Sequence, residues 1–252
     1  MEGEILIDKK KLEEYARKKN YNLGQAEKDY YQEILLFILY KHFGKTLIFK
    51  GGTALTKCFG LNRFSEDLDF VALEEKEFSK IINAGLKEFY IEFEFEQKNH
   101  KESIDLTYWI KGPLYNGQKN SLCKILLDIS LRDKNILETV TKQIGFLIDE
   151  IPVFGVVVLS EEEILLEKIR TILQRNKARD LYDLYYLSLR KILINRNNIE
   201  IKIGKKFDFK EFVLKLEKKK KIWDSELRPL VKSYPSFDEV IKQVTGFLEK
   251  VK

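Results

Sequence analysis

The stretch FKGGTALTKCFGLNRFSEDLDF, residues 49–70, changes hydrophobic period twice. It begins inside TLIFK (46–50), a short β-type run, and turns at Gly51-Gly52; Thr53 to Phe59 then carries a helical pattern that Gly60 closes. After a polar loop, Leu68, Phe70 and Ala72 alternate with Asp67, Asp69 and Val71, the two-residue period of a strand. The expected order is strand, glycine turn, helix, strand, with both aspartates on one face of the second strand.

That arrangement carries chemistry. Gly51 and Gly52 remove side chains where a helix begins, so backbone N–H groups can approach an anion, and the helix N-terminus adds a favourable partial charge. Thr53 adds a hydroxyl donor. Asp67 and Asp69 project to the same side with their backbones about 7 Å apart, close enough for two oxygens to reach one divalent cation. Hard oxygen donors beside a phosphate cradle suit Mg²⁺, which takes one or two carboxylates plus substrate phosphates. Taken singly, a Gly-Gly turn is commonly a plain β-to-α connection and an Asp-x-Asp is commonly loop chemistry. Their combination on adjacent elements points to a phosphate and metal site.

Toward the N-terminus, Asp8 reads as the N-cap of a helix through Lys19, and Gln25 to Phe43 has apolar residues at helical spacing. Toward the C-terminus a helix is expected over about 76–90, then IEFEFEQ (91–97) alternates as a half-exposed strand. SIDLTYWI (103–110) and LCKILLDIS (122–130) continue the strands, joined by KGPLYNGQKN, whose Gly, Pro and Asn mark a hairpin connection. A sheet of about five strands is expected over 44–130. From Ser160 the pattern is helical. Ser160 with Glu163 reads as a capping box before the stripe Leu165, Leu166, Ile169 and Ile172, a second helix spans about Lys177 to Arg190, and helical runs recur near 208–221 and 236–250. The fold class is α+β: a mixed sheet with flanking helices over 1–150, a mostly helical half over 151–252, and a soft boundary between them.

At 252 residues, 44% of them hydrophobic, the chain can bury a sizeable core, and disorder is not expected. No apolar run approaches the roughly 20 residues that span a bilayer. The N-terminal MEGEILIDKKK lacks the order of a secretory signal, so no membrane is expected and the cytoplasm is the expected compartment. Two cysteines, Cys58 and Cys123, are too few for a disulfide framework or a cysteine-rich zinc site. The basic excess is C-terminal: residues 170–221 hold 16 Lys and Arg against 6 Asp and Glu. That window is either a footprint for a polyanion or a solvated Lys-rich face. His42 and His100 have no metal-spaced partners and read as surface or packing residues. Lys124 and Arg132, flanking the last strand, either touch substrate or are solvated charges. Tyr182, Tyr185 and Tyr186 read as helix packing, with RNA stacking the alternative.

The string LIFKGGTALTKCFGLNRFSEDLDF resembles the AbiEii/AbiGii toxin family, whose GG-[ST]-x-L turn and R-x-S-x-D-x-D segment are matched by Gly51, Gly52, Thr53, Leu55, Arg63, Ser65, Asp67 and Asp69. A second block, SEEEILLEKIRTILQRNKARDLYDLYYL (160–187), is similar to the family's E-K-[IL]-x(n)-R-D-x-x-D-L segment at Lys168, Arg179, Asp180 and Asp183. The resemblance implies a polymerase-β-like nucleotidyltransferase fold whose C-terminal half completes the nucleotide site. It implies that Gly51, Gly52, Thr53, Arg63 and Ser65 bind nucleotide, that Asp67 and Asp69 bind metal, and that Lys168 pairs with phosphates. Asp183 falls at the family's second-half acid. Asp180 either belongs to the nucleotide site, holding Arg179 or Lys168, or is an ordinary ion pair. Such an enzyme needs a further carboxylate near the metal. Asp128, an acid among apolar strand residues where an unpaired charge is costly, is the candidate, with Asp105 the competitor.

The implied reaction is Mg²⁺-dependent transfer of a nucleoside monophosphate from an NTP to an acceptor hydroxyl, with Mn²⁺ as a substitute metal. RNA such as a tRNA 3′ end is the leading acceptor. The implied setting is a toxin–antitoxin or phage-defence pair with a cognate antitoxin, the enzyme itself a monomer. The alternatives are a protein or small-molecule acceptor, or a protein that binds nucleotide without transfer.

Overall fold

The computed structural model describes residues 7–131 and 138–251. Asp8 caps α1 (Lys9–Lys19), its carboxylate accepting from Lys11 N at 2.8 Å. α2 (Leu23–Phe43) opens with a reciprocal capping box between Asn22 and Gln25. Its Ile34, Leu35, Leu36, Ile38 and Leu39 are all buried, so the helix is apolar on most of its circumference and forms the centre of its core. β1 (Leu47–Lys50), α3 (Gly51–Phe59) and β2 (Leu68–Ala72) follow in the expected order, α3 starting at Gly51 itself. Next come α4 (Phe78–Glu88), β3 (Phe93–Asn99), β4 (Ser103–Ile110) and β5 (Cys123–Ser130), so the five strands expected over 44–130 are present.

Two further strands, β6 (Thr139–Ile144) and β7 (Phe154–Leu159), complete a seven-stranded mixed sheet of order β3-β4-β5-β2-β1-β7-β6. β1 is antiparallel to β2 and parallel to β7, β2 is parallel to β5, and β3, β4 and β5 form an antiparallel meander. The residues of one sheet face, among them Phe49, Phe70, Tyr108, Ile125 and Leu127, are buried.

The chain forms two compact units. The first comprises Met1–Cys58 and Glu66–Val158, so the soft boundary expected near 150 falls inside it, one strand early. The second comprises Phe59–Ser65 and Leu159–Lys252. It contains α5 (Glu161–Gln174), α6 (Ala178–Ser188), α7 (Arg196–Ile203), α8 (Phe209–Glu217), α9 (Trp223–Leu227) and α10 (Phe237–Leu248). Ser160 caps α5 by accepting from Glu163 N at 3.2 Å. The reciprocal half of the expected box is absent. The buried Glu163 carboxylate instead pairs with Lys202 of α7, a partner too distant in sequence to read from local spacing.

Candidate active site

Asp69 on β2 and Asp128 on β5 are register partners in a parallel pair, so they stand on one sheet face with backbones about 4.8 Å apart. Their strand neighbours Leu68, Phe70, Leu127 and Ile129 point the other way and are buried. Asp67 and Asp69 are half-buried, and Asp128 is exposed. The burial argument for Asp128 therefore fails, because period-two alternation puts it with Lys124 and Leu126 on the uncovered face, but its register brings it beside Asp69. Asp105 is the register partner of Asp128 on β4, two strands from Asp69 and so about 10 Å away at the backbone. Its carboxylate is bonded to His100 Nε2 at 3.0 Å. Lys50, the register partner of Asp69 on β1, is a cation beside this strip that the sequence reading does not single out.

The glycine turn is fitted to Asp69. Gly51 has φ +79°, and a Cβ there would stand 2.1 Å from Asp69 Oδ2. Only glycine lets the Asp69 carboxylate lie against the first turn of α3. Thr53 is buried, and its hydroxyl donates to the Asp67 carbonyl. The donor expected to face an anion thus ties α3 to the start of β2. The far end of α3 is held by Lys57, whose ammonium donates to Asp29 Oδ1 at 2.6 Å and Glu33 Oε1 at 3.3 Å. Lys19 joins both acids, and the Tyr15 hydroxyl donates to Asp29 Oδ2 at 2.6 Å. Burial raises the Asp29 pKa, but Lys57 and Lys19 outweigh it and hold the carboxyl below its usual range. α3 is thus held at its start to the residue before β2 and at its far end to α2, with α1 joined to the same acids.

The second-block residues are gathered inside the helical unit. Arg63, 4% exposed, donates from Nε and Nη2 to the two Asp183 oxygens at 2.6 and 2.8 Å, and from Nη1 to the Phe64 carbonyl at 2.9 Å. Lys168, 6% exposed, lies 2.7 Å from Asp183 Oδ2 and 3.1 Å from Asp180 Oδ1. Asp180 and Asp183 share a buried face of α6, as their spacing predicts. The arginine on Asp180 is Arg175, at 2.8 and 3.0 Å, while Arg179 is half-buried beside it in sequence. Arg175 lies outside the helical period, which is why spacing did not find it. Burial opposes each charge, yet pairing prevails. Arg63 and Lys168 hold Asp183 below the carboxylate range, Lys168 and Arg175 do the same for Asp180, and the two aspartates hold Lys168 above its ordinary value. Ser65, the remaining expected nucleotide contact, is half-buried at the end of the Phe59–Ser65 segment.

The other candidates make contacts within the protein. Tyr182 packs on Trp223 at 6.4 Å between ring centroids, and the Tyr186 hydroxyl donates to the Phe59 carbonyl. Lys124 sits over the Trp109 ring at 5.8 Å. His42 bonds the Ile38 carbonyl at 2.9 Å. Arg132 lies outside the described residues. Within the basic run, Lys202 pairs with Glu163 and Glu167, and the buried Lys219 donates to the Arg175 carbonyl at 3.2 Å. Lys206, Lys210, Lys218 and Lys221 are exposed. Among the described residues, no helix is long and apolar enough to cross a membrane.

Comparison with solved structures identifies the fold. MenT4, a nucleotidyltransferase toxin from Mycobacterium tuberculosis, superposes with a TM-score of 0.60 at 19% identity, over 96% of this chain and 90% of that one. JHP933 from Helicobacter pylori gives 0.59 at 19% identity, over 89% and 90%. A putative nucleotidyltransferase from H. pylori gives 0.58 at 19% identity, over 86% and 90%. A search of curated protein sequences finds no match. Residues 35–243, most of both units, match the family described as "Nucleotidyl transferase AbiEii toxin, Type IV TA system". The chain therefore belongs to the AbiEii family of nucleotidyltransferase toxins of type IV toxin–antitoxin systems.

Proposed function

We propose that the chain transfers a nucleoside monophosphate from an NTP to an acceptor hydroxyl on RNA, in a Mg²⁺-dependent reaction that releases pyrophosphate. The observation that carries this reading is the placement of Asp69 and Asp128 in register on adjacent strands, with the Gly51 turn against Asp69. The donor set fits a hard divalent cation: Asp69 and Asp128 from neighbouring strands and Asp67 from the residue before β2, with no sulfur or imidazole among them. Among the described residues no three acid, His or Cys side chains are gathered into a metal cluster as they stand.

In this reading Asp67, Asp69 and Asp128 would hold the metal, with Mn²⁺ able to substitute. The bound ion supplies charge neutralisation at the phosphate and lowers the cost of forming the attacking oxygen. The Gly51 and Gly52 N–H groups at the start of α3 receive the phosphates. Asp128, the exposed member of the three, accepts the proton of the acceptor hydroxyl on a carboxylate oxygen. The exposed Lys206, Lys210, Lys218 and Lys221 favour a polyanionic acceptor, since Lys and Arg contacts to phosphate dominate nucleic-acid affinity. A tRNA 3′ end supplies such a hydroxyl, and the cognate antitoxin opposes the reaction's consequences.

The test is incubation of wild-type protein and Asp69→Ala with total RNA, Mg²⁺ and each α-labelled NTP. Label is expected in an RNA band with wild type alone. Label in a protein or small-molecule fraction instead would replace RNA as the acceptor, and label retained by Asp69→Ala would remove the aspartate pair from the mechanism.

A further inference from the structure

The seven-stranded sheet ends on one side at β3, and among the described residues no strand lies outside it. β3 pairs with β4 alone, in unbroken antiparallel register from Phe93 opposite Ile110 to Asn99 opposite Ile104. The Glu92 carbonyl accepts from Lys111 N at 3.0 Å and His100 N donates to the Ser103 carbonyl at 2.8 Å, so the even-numbered residues form the bonded pairs of this ladder. The backbone N–H and C=O groups of Phe93, Phe95, Gln97 and Asn99 therefore point away from β4, in a strand exposed from Glu94 to Asn99.

Such a row is a template for another strand, and proteins that keep an edge unpaired shorten it, break it with proline or a bulge, or charge it. β3 has seven residues, no proline and no break in register, and its charges are of both signs: Glu94, Glu96 and Lys98. The two-residue period puts those three on one face, where Glu96 and Lys98 lie 3.3 Å apart along the strand. The signs suit self-pairing. With a second β3 antiparallel to the first and Gln97 opposite its own copy, Glu96 faces Lys98 of the second copy, and Lys98 faces its Glu96. Both contacts fall in non-bonded pairs, the closer kind, at about 4.5 Å between Cα atoms. The outward backbone groups of Gln97 meet those of its copy, and those of Phe95 meet Asn99. A two-residue slip one way sets the two Glu96 side chains against each other between Glu94–Lys98 contacts, and a slip the other way sets Lys98 on Lys98. β6, the opposite edge, carries Lys142 as its one charge, so no register of it pairs opposite signs.

We propose that β3 is a self-association edge: two copies of this chain join β3 to β3 in antiparallel register about Gln97, in place of the monomer expected from the sequence. The edge lies wholly within the first compact unit, and its pairing does not depend on the proposed reaction. Seven residues a side make a small interface, so dimer and monomer exchange as concentration changes.

The test uses the full chain. Sedimentation velocity from micromolar to submillimolar protein is expected to show a monomer–dimer equilibrium. Glu96→Lys sets like charges opposite each other twice across the two-fold axis and should raise the dissociation constant about tenfold or more, while adding Lys98→Glu to it should return the constant to within about threefold of wild type. Both side chains are exposed, so circular dichroism should not change. Register is read by air oxidation over copper phenanthroline. Gln97→Cys places two thiols on Cα atoms about 5.5 Å apart and should give a disulfide-linked dimer, whereas Asn99→Cys places them about 14 Å apart and should not. Wild type, with Cys58 and Cys123 as its native thiols, is the blank. A chain that stays monomeric throughout, with no cross-link in Gln97→Cys, overturns the proposal. A dimer that Glu96→Lys leaves unchanged is made elsewhere on the surface and overturns it as well. Equal cross-linking of Gln97→Cys and Asn99→Cys refutes the register.

Discussion

Two clusters of charge in this protein are built on opposite terms. On the sheet, Asp69 of β2 and Asp128 of β5 share one face, with Asp67 just before β2, and the three are half-buried to exposed. In the helical unit, Arg63, Lys168, Asp180 and Asp183 are buried and closed on one another by bonds of 2.6 to 3.1 Å. Acids that solvent can reach stay accessible to a cation. Acids sealed against arginine and lysine have spent theirs on architecture. The same residue type serves as ligand in one cluster and as rivet in the other, and accessibility makes the difference.

The contrast can be broken by exchanging those terms. Asp69→Ala, which should end transfer, tests the open cluster most severely. Gly51→Ala comes next: its Cβ would collide with the Asp69 carboxylate at a positive φ, and displacement by an ångström should cost about a hundredfold in turnover. Circular dichroism and turnover measured together would show whether the loss is local.

The sealed cluster should fail as stability. Asp183→Ala leaves Arg63 and Lys168 facing an empty site and should cost about 3–5 kcal/mol in urea unfolding. Because Asp180 and Asp183 are held below their ordinary pKa, their contribution is present above about pH 4 and lost as pH falls through the depressed folded values. Acid should therefore destabilise wild type more than Asp183→Asn, and equal acid sensitivity would detach the network from stability.

The smallest effect belongs to the surface. Neutralising Lys206, Lys210, Lys218 and Lys221 together should lower RNA affinity about tenfold at low salt and flatten its salt dependence. Unchanged binding would leave that run a solvated face.

Much of the fold was legible because it is written locally. The caps at Asp8 and Ser160, the helical stripe of α5 and the strand-turn-helix at 47–59 all depend on neighbours within four residues. β6 and β7 escaped the reading, although Val156 to Val158 is a β-branched run that could have marked β7. The two-residue period put Asp67 on the strand with Asp69, whereas β2 begins at Leu68, so only Asp69 is placed by strand register. The claim of Asp128 over Asp105 needed the strand order, which no local spacing contains. The Arg63–Asp183 pair joins residues 120 positions apart, and sequence could name its members without showing that they face each other. Thr53 was read correctly as a donor and wrongly as to its acceptor, because a hydroxyl beside a glycine turn can satisfy a nearby carbonyl as readily as an anion.

Seven residues, Phe59–Ser65, from well before the rest of it in sequence complete the helical unit, and this bears on how the protein is made. Arg63 leaves the ribosome long before Asp183 exists, and its guanidinium stays charged and hydrated until then. Closing so long a loop costs about 4 kcal/mol of chain entropy in the simplest estimate. The helical unit is therefore not a domain that can be cut away at residue 158. A fragment beginning there would keep Arg175 on Asp180 but carry a buried Asp183 with Lys168 and without Arg63, whose guanidinium would be left behind.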